Sequence, residues 1–333
     1  MPEPRYDVLG IGNAIVDVIA RTEEDFLVRN ALVKGSMRLV DTEEADRLYG
    51  LMAAAIEASG GCAGNTVAGV ASFGGTAAFI GKVAGDQLGQ IYRHDMKGTG
   101  VAFDTPVLVD GAPTGRTMIL ITPDGERTMN TYLGAANELS PHDIDRETVA
   151  AAAITYLEGY LWDPPPAKEA FRKAAEYAHA AGRRVSLTLS DSFCVDRYRA
   201  EFLGLIRDGM VDILFANQAE MHSLYETADF DTAVAALRKA CRLAAVTLGA
   251  EGAMVVTPEG IERVPAVPVD TVVDTTGAGD LFAAGFLFGE ARRMPHADCA
   301  RLGALAAAEV ISHIGPRPMT SLRGLAEQAG MRL

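Results

Sequence analysis

"DTTGAGDLFAAGFLFG", residues 274–289, is the stretch on which the fold reading turns. It sets Gly277 and Gly279 directly ahead of an apolar run in which Leu281, Phe282, Phe286 and Leu287 recur at three-to-four-residue spacing. That spacing predicts a buried helix with the glycines at its start. The free backbone N–H groups of such an end attract anions, and glycine lets a bulky phosphate approach the backbone closely. Asp280 is the anomaly, since a carboxylate there repels the anion that the turn would bind. The arrangement makes chemical sense if Asp280 takes a proton from whatever group attacks that anion.

The rest of the chain is compatible with a large α/β protein. Its 333 residues suffice for one large domain or two ordinary ones, and 49% hydrophobic with 22% charged residues describes a globular chain with ample core material. Thirty basic against 44 acidic residues give a net charge of −14. That balance disfavours non-specific binding to nucleic acid or to an acidic membrane. Cys62, Cys194, Cys241 and Cys299 are far apart and form no C-x-x-C pair, so neither zinc nor a disulfide framework is indicated. The first residues, "MPEPRYDVLGIG", lack the pattern of a signal peptide, and no apolar run reaches membrane-spanning length. The expectation is a cytoplasmic protein.

Along the chain, "YDVLGIGNAIVDVIA" (6–20) opens with a strand and a glycine turn, and "GGCAGNTVAGVASFGG" (60–75) reads as a loop feeding a small-residue helix. "TAAFIGKVAGD" (76–86) reads as a strand ending in a loop. Residues 101–135 change character: β-rich pieces separated by Asp-Gly and Pro-Asp-Gly turns predict antiparallel hairpins and a separate small sheet. From about residue 141, strands at "AAITYLEGY", "RVSLTLS", "VDILFAN" and "LAAVTLGAEGAMVVT" alternate with helices expected at 164–181, near 197–208 and at 231–242. Such alternation predicts a mostly parallel sheet covered by helices. The reading is one α/β domain with a β insert.

Several motifs carry two readings. Gly10 and Gly12 follow a strand, but Ile15 stands where a dinucleotide fingerprint needs its third glycine. Asp17 is either a turn aspartate or, with Asn13, a hydrogen-bonding partner for sugar hydroxyls. Asn65, after the Gly60-Gly61 pair, is either a helix N-cap or a ligand-facing amide. Asn217 and Glu220 have capping-box spacing, yet one carboxylate with one amide also suits a hydrated Mg²⁺. Gly249 and Gly252 form either a hairpin turn or a nucleotide contact. No Walker A, protein-kinase or G-x-S-x-G signature occurs, and the six histidines form no metal pattern. Together, glycine turns after strands, a candidate Mg²⁺ helper and a carboxylate at an anion-cradling helix end point to phosphoryl transfer.

These residues resemble the ribokinase-like, or PfkB, carbohydrate kinases. "DTTGAGD" matches that family's C-terminal signature, "GGCAGNT" and "GKVAGDQLG" its N-terminal region, and "AN-x-x-E" and "VTLGAEG" fall in the expected order. The resemblance implies a doubly wound, mostly parallel α/β catalytic domain over residues 1–333, with a small β-sheet lid formed by about 13–40 and 101–136. It also implies transfer of the γ-phosphate of ATP to a hydroxymethyl group. "GNAIVD", "GERTMNTYLGAAN", "YLEGYLW" and "LSDSF" look closest to adenosine kinases, in which such segments frame the nucleoside. Carried over residue by residue, Asp280 would be the base, with Gly277, Ala278 and Gly279 donating backbone N–H groups and Arg127 approaching the transferring phosphate. Asn13, Asp17, Gly61, Asn65, Leu133, Tyr160 and Phe193 would address the nucleoside. Asn217, Glu220, Thr247, Gly249 and Gly252 would serve ATP, with Asn217 and Glu220 organising Mg²⁺. Asp274 and Thr276 fall where potassium-responsive relatives hold K⁺. Cys62 departs from the family's frequent Ser, and which of Tyr160 and Trp162 stacks on a base is open.

The alternatives are a sugar kinase of the same family, acting on ribose, fructose or a related sugar, and a non-enzymatic ligand-binding regulator. Monomer and homodimer are equally compatible with the sequence.

Overall fold

The computed structural model of the protein describes residues 3–333. In chain order the strands are β1 (Tyr6–Ile11), β2 (Ile15–Arg21), β3 (Met37–Leu39), β4 (Ile56–Ser59) and β5 (Ala77–Ile80). They continue with β6 (Val101–Ala102), β7 (Gly115–Ile121), β8 (Arg127–Tyr132), β9 (Ala152–Glu158) and β10 (Arg184–Thr188). The last are β11 (Ile213–Asn217), β12 (Leu243–Thr247), β13 (Ala253–Val256) and β14 (Ile261–Val264). Nine of them form one sheet in the order β14-β13-β12-β11-β10-β9-β1-β5-β6, and five form another in the order β3-β8-β7-β2-β4.

The large sheet is parallel from β12 to β6; β13 alone runs against the others, so its pairings with β12 and β14 are antiparallel. Its central strands are apolar on both faces, as Val8, Leu9 and Ile11 are in β1, because helices cover both sides. One face carries a core cluster built on Phe171, Phe202 and Trp162, from helices Pro165–Ala180 and Ser192–Arg207 and the turn Gly159–Trp162. The other packs Cys62–Ser72, Ala278–Ala291 and His296–Val310 against Phe79, Tyr156 and Phe215. In Ala278–Ala291 every residue from Leu281 to Glu290 is buried, so the predicted helix is sandwiched rather than amphipathic. Phe286 sits edge-on to Phe215 at 5.5 Å between centroids.

The small sheet has its own core. Met118 and Leu120 point from β7 to helices Glu24–Arg29 and Thr42–Leu51, where they meet Leu27, Ala45 and Leu48. Odd-numbered residues of the same strands point the opposite way, as the two-residue period of a strand requires. The chain crosses between the two sheets four times: after β1, after β4, between β6 and β7, and after β8.

Several local expectations shift. The helices lie at Pro165–Ala180, Ser192–Arg207 and Phe230–Ala240. The second begins earlier than expected because Asp191 caps it, accepting from Cys194 N at 2.6 Å. Of the turns in residues 101–135, Pro123-Asp124-Gly125 closes an antiparallel hairpin, β7–β8. The Asp110-Gly111 segment closes none: β6 pairs with β5 in the large sheet, and β4, at residues 56–59, joins the small one.

Phe286→Ala should cost about 3–5 kcal/mol, since it empties an aromatic site that is 0% exposed. Chemical denaturation should show a lowered midpoint with an unchanged slope.

Candidate active site

Strand order reverses at β1, which has β5 on one side and β9 on the other. At such a switch point the connections leave in opposite directions and open a crevice at the carboxyl ends of the strands. Glu158, the last residue of β9, reaches into this crevice. Its Oε1 accepts from Asn13 Nδ2 at 2.7 Å, and its Oε2 accepts from the Ala63 amide at 2.9 Å. Glu158 is 1% exposed, and burial pushes its carboxyl up to about 7 despite those two donors.

The crevice is roofed by the small sheet and encloses a cavity of about 690 Å³, a usual size for a small-molecule site. The roof is made by the odd-numbered residues: Ile15 and Asp17 of β2, Thr117 and Ile119 of β7, Met129 and Thr131 of β8, and Met37 and Leu39 of β3. Asp17 is the only carboxylate among them. It is 8% exposed, and burial raises its carboxyl to about 7, with Arg317 and Arg127 pulling the other way. It lies within a strand, which removes the turn reading. Gly61, at φ +82°, lets the chain turn from β4 into helix Cys62–Ser72, and a Cβ there would collide with the Asn13 carbonyl.

The floor is the "GAG" turn. Gly277 is the N-cap of helix Ala278–Ala291 at φ +80°, with no room for a side chain against Pro316. Ala278 N donates to Thr275 O at 3.2 Å, whereas no acceptor among the described residues takes the amides of Gly277 and Gly279. Those two N–H groups are therefore the free anion-binding donors of the helix end. Asp280 caps nothing. Its Oδ2 accepts from Asn65 Nδ2 at 3.0 Å. Burial nevertheless raises its carboxyl to about 6. Asn65 is likewise no cap, because the N-cap of its helix is Gly61.

Arg127, at the start of β8, ties the small sheet to the segment ahead of helix Ala278–Ala291. It forms an ion pair with Asp274, and its Nη1 donates to Thr276 Oγ1 at 3.2 Å. Asp274 also accepts from Thr276 N and Gly315 N, both at 3.0 Å. Its charge is thus already matched by a guanidinium. At the far end, Asn217 and Glu220 do form a capping box: Asn217 Oδ1 accepts from Glu220 N at 2.9 Å, and Glu220 Oε2 accepts from Asn217 N at 3.0 Å. Burial raises the Glu220 carboxyl to about 7. Among the described residues no group of three or more His, Cys, Asp or Glu forms a cage for a metal ion.

The cavity thus gathers Asn13, Asp17, Gly61, Asn65, Leu133, Tyr160, Phe193, Asn217, Glu220, Thr247 and the turn through Asp280. Gly249 and Gly252 lie outside its lining; Gly252 makes the β12–β13 turn, where a Cβ would collide with the Val264 carbonyl. Arg127 stands at the margin. Trp162 is fully buried beside Phe171 and donates to Glu201, which leaves Tyr160 as the cavity aromatic. Sequence reasoning missed Glu158 and Arg317. A carboxylate ending an apolar strand is a visible oddity for the first; nothing local marks the second.

Comparison with known proteins gives the same picture. The model of the pfkB family carbohydrate kinases matches residues 29–322. The chain belongs to the pfkB carbohydrate kinase family. A crystal structure of adenosine kinase from Sinorhizobium meliloti is 57% identical, with a TM-score of 0.92 over 98% of this chain and 99% of that one. A probable sugar kinase from Rhizobium etli CFN 42 is 54% identical, with a TM-score of 0.93 over 98% and 99%. Among curated relatives, the adenosine kinase of Saccharomyces cerevisiae is 26% identical over 92% of this chain and 95% of its own. As a member of the pfkB family the protein is a phosphotransferase acting on hydroxyl groups, with ATP as the donor the family implies. No helix among the described residues is long and apolar enough to cross a membrane.

The raised carboxyls divide the pH dependence. Each loses its charge at a higher pH than an ordinary carboxylate, Asp17 near 7 and Asp280 near 6. As pH falls, KM for the hydroxyl substrate should rise first, while kcat holds until about pH 6 and then falls roughly tenfold per unit. Initial-rate profiles between pH 5 and 8 check both limbs.

Proposed function

We propose that the protein transfers the γ-phosphate of ATP to the 5′-hydroxyl of a nucleoside, adenosine first, in the cytoplasm. The observation that carries this reading is the juxtaposition of one diol-binding carboxylate, Asp17, with an apolar slot. Ile15, Ile119, Met129, Leu133 and the exposed Phe193 line that slot, and Tyr160 stands across from the roof. A ribose would place its hydroxyls at Asp17 and Asn13, and a flat base would fill the apolar part.

The chemistry follows from the floor. A primary hydroxyl is a poor nucleophile at neutral pH, and a carboxylate within hydrogen-bond reach takes its proton as the bond to phosphorus forms. Asp280 is that carboxylate, and its raised affinity for a proton suits the task. Gly277 and Gly279 offer N–H groups to the equatorial oxygens, and Arg127 adds positive charge from the lid side. The roof excludes water, which would otherwise compete for the phosphoryl group. Glu220 and Asn217 suit a magnesium ion held mainly by phosphate oxygens and water, since both side chains are already bonded to each other. Such an ion offsets phosphate charge when bound.

The polar set of Asn13, Asp17 and Glu158 suits any vicinal diol, which keeps a sugar kinase as the second reading. Phosphorylation rates over a panel of nucleosides, ribose and fructose separate the two; ribose or fructose outrunning every nucleoside would replace the first reading. Asp280→Asn should lower kcat by about 10²–10⁴-fold with substrate binding retained, measured by single turnover and calorimetry. Asp17→Ala should lower kcat/KM by on the order of 10²-fold, about 3 kcal/mol, with ATP affinity little changed. Potassium at Asp274 and Thr276 would have to share the carboxylate with Arg127. Rates in potassium and in tetramethylammonium should therefore differ little in wild type, and a potassium requirement should appear in Arg127→Ala.

A further inference from the structure

Arg317 arrives at the site from a segment that none of the roles above uses. Residues 311–321, "ISHIGPRPMTS", leave helix His296–Val310 and are pinned along their length. Gly315 N donates to Asp274 Oδ2, and the Glu309 carboxylate accepts from Met319 N at 2.9 Å and Thr320 N at 3.0 Å. Pro316 packs against Gly277. Flanked by Pro316 and Pro318, whose rings fix φ, the Arg317 side chain passes behind helix Cys62–Ser72. Its Nε donates to Asn65 Oδ1 at 3.4 Å, and its Nη2 lies 3.4 Å from Met96 Sδ.

We propose that Arg317 is a positioning residue for phosphoryl transfer: its guanidinium holds the Asn65 amide in the one orientation that presents Nδ2 to Asp280. Asn65 stands between a cation and an anion, with Oδ1 toward Arg317 and Nδ2 toward Asp280 at 3.0 Å. Turning the amide over would set N–H against N–H and oxygen against carboxylate, two repulsive contacts in a partly buried place. The guanidinium thereby strengthens the only amide donor that steadies the Asp280 carboxylate, and also faces Asp17.

The groups around this relay are few. Asp280 faces Asn65 and Cys62 from helix Cys62–Ser72, Asp17 from β2, and Tyr156 and Glu158 from β9. Arg317 faces Asp17, and from helix Gln87–Gly98 Tyr92 and Asp95. Desolvation makes its charge costly there, so a half-buried guanidinium without a close carboxylate is unexpected unless the site uses it.

This inference rests on Asp280 acting as the base, and the experiment separates the two ideas. Carboxyl NMR titration of Asp280, which needs no substrate, should show its pKa raised in Arg317→Met relative to wild type. With the active substrate, Arg317→Met should lower kcat about tenfold or more and move the acid limb upward, leaving KM for ATP unchanged. Arg317→Lys, which keeps the charge and serves if the Met variant fails to fold, should recover part of both effects. In an Asn65→Ala background, adding Arg317→Met should change kcat less than about twofold. An unmoved Asp280 titration in a folded variant, or full additivity with Asn65→Ala, overturns the relay. A shifted titration in a protein that phosphorylates nothing in the panel would keep the relay and sink the kinase reading.

Discussion

The site depends on one buried carboxylate, Glu158. By accepting from Asn13 and from the Ala63 amide it joins β9, the turn after β1 and the first turn of helix Cys62–Ser72. Leaving two buried donors unpaired costs several times what a surface hydrogen bond contributes, so the three elements are held in one relative geometry. Asn65, two residues further along the same helix, reaches Asp280. The placement of Asn65 against Asp280 is thus inherited from a bond made elsewhere.

Electrostatically the crevice is a contest between carboxylates and guanidinium groups. Asp17, Glu158 and Asp280 all hold protons more tightly than ordinary carboxylates because each is desolvated, and the Asp280 charge pushes Asp17 and Glu158 further the same way. Arg127 and Arg317 supply the opposing charge from opposite sides, one from the small sheet and one from the C-terminal segment. In a protein with net charge −14, the donors left for an anion in this crevice are the amides of the Gly277–Gly279 turn.

What the sequence made legible was local. The helix after "DTTGAG" was readable from its apolar spacing, and the β7–β8 hairpin from Pro123-Asp124-Gly125. The motif positions of Asp280, Asp17 and Asn65 carried the kinase reading because each motif is short. Helix starts were less legible: Asp191 was read as part of a nucleoside segment, when it is also the cap that brings Phe193 onto a helix. β4 went unassigned to the small sheet, since a four-residue strand owes its place to pairing with β2 rather than to its own pattern. Glu158 and Arg317 were out of reach for the same reason. Their partners are 145 and 252 residues away, and no local period records such contacts.

Three of the four crossings between the sheets fall on residues that face the cavity. Asn13 follows β1, Gly61 follows β4, and Leu133 follows β8. A rotation of the small sheet must be absorbed as torsion at these positions, because they are the covalent connections between the two bodies. Most of the covalent connections between the sheets are thus also cavity wall. A molecule seated against Asn13 and Gly61 would bear on two of those connections, so its presence and the angle between the sheets would be coupled.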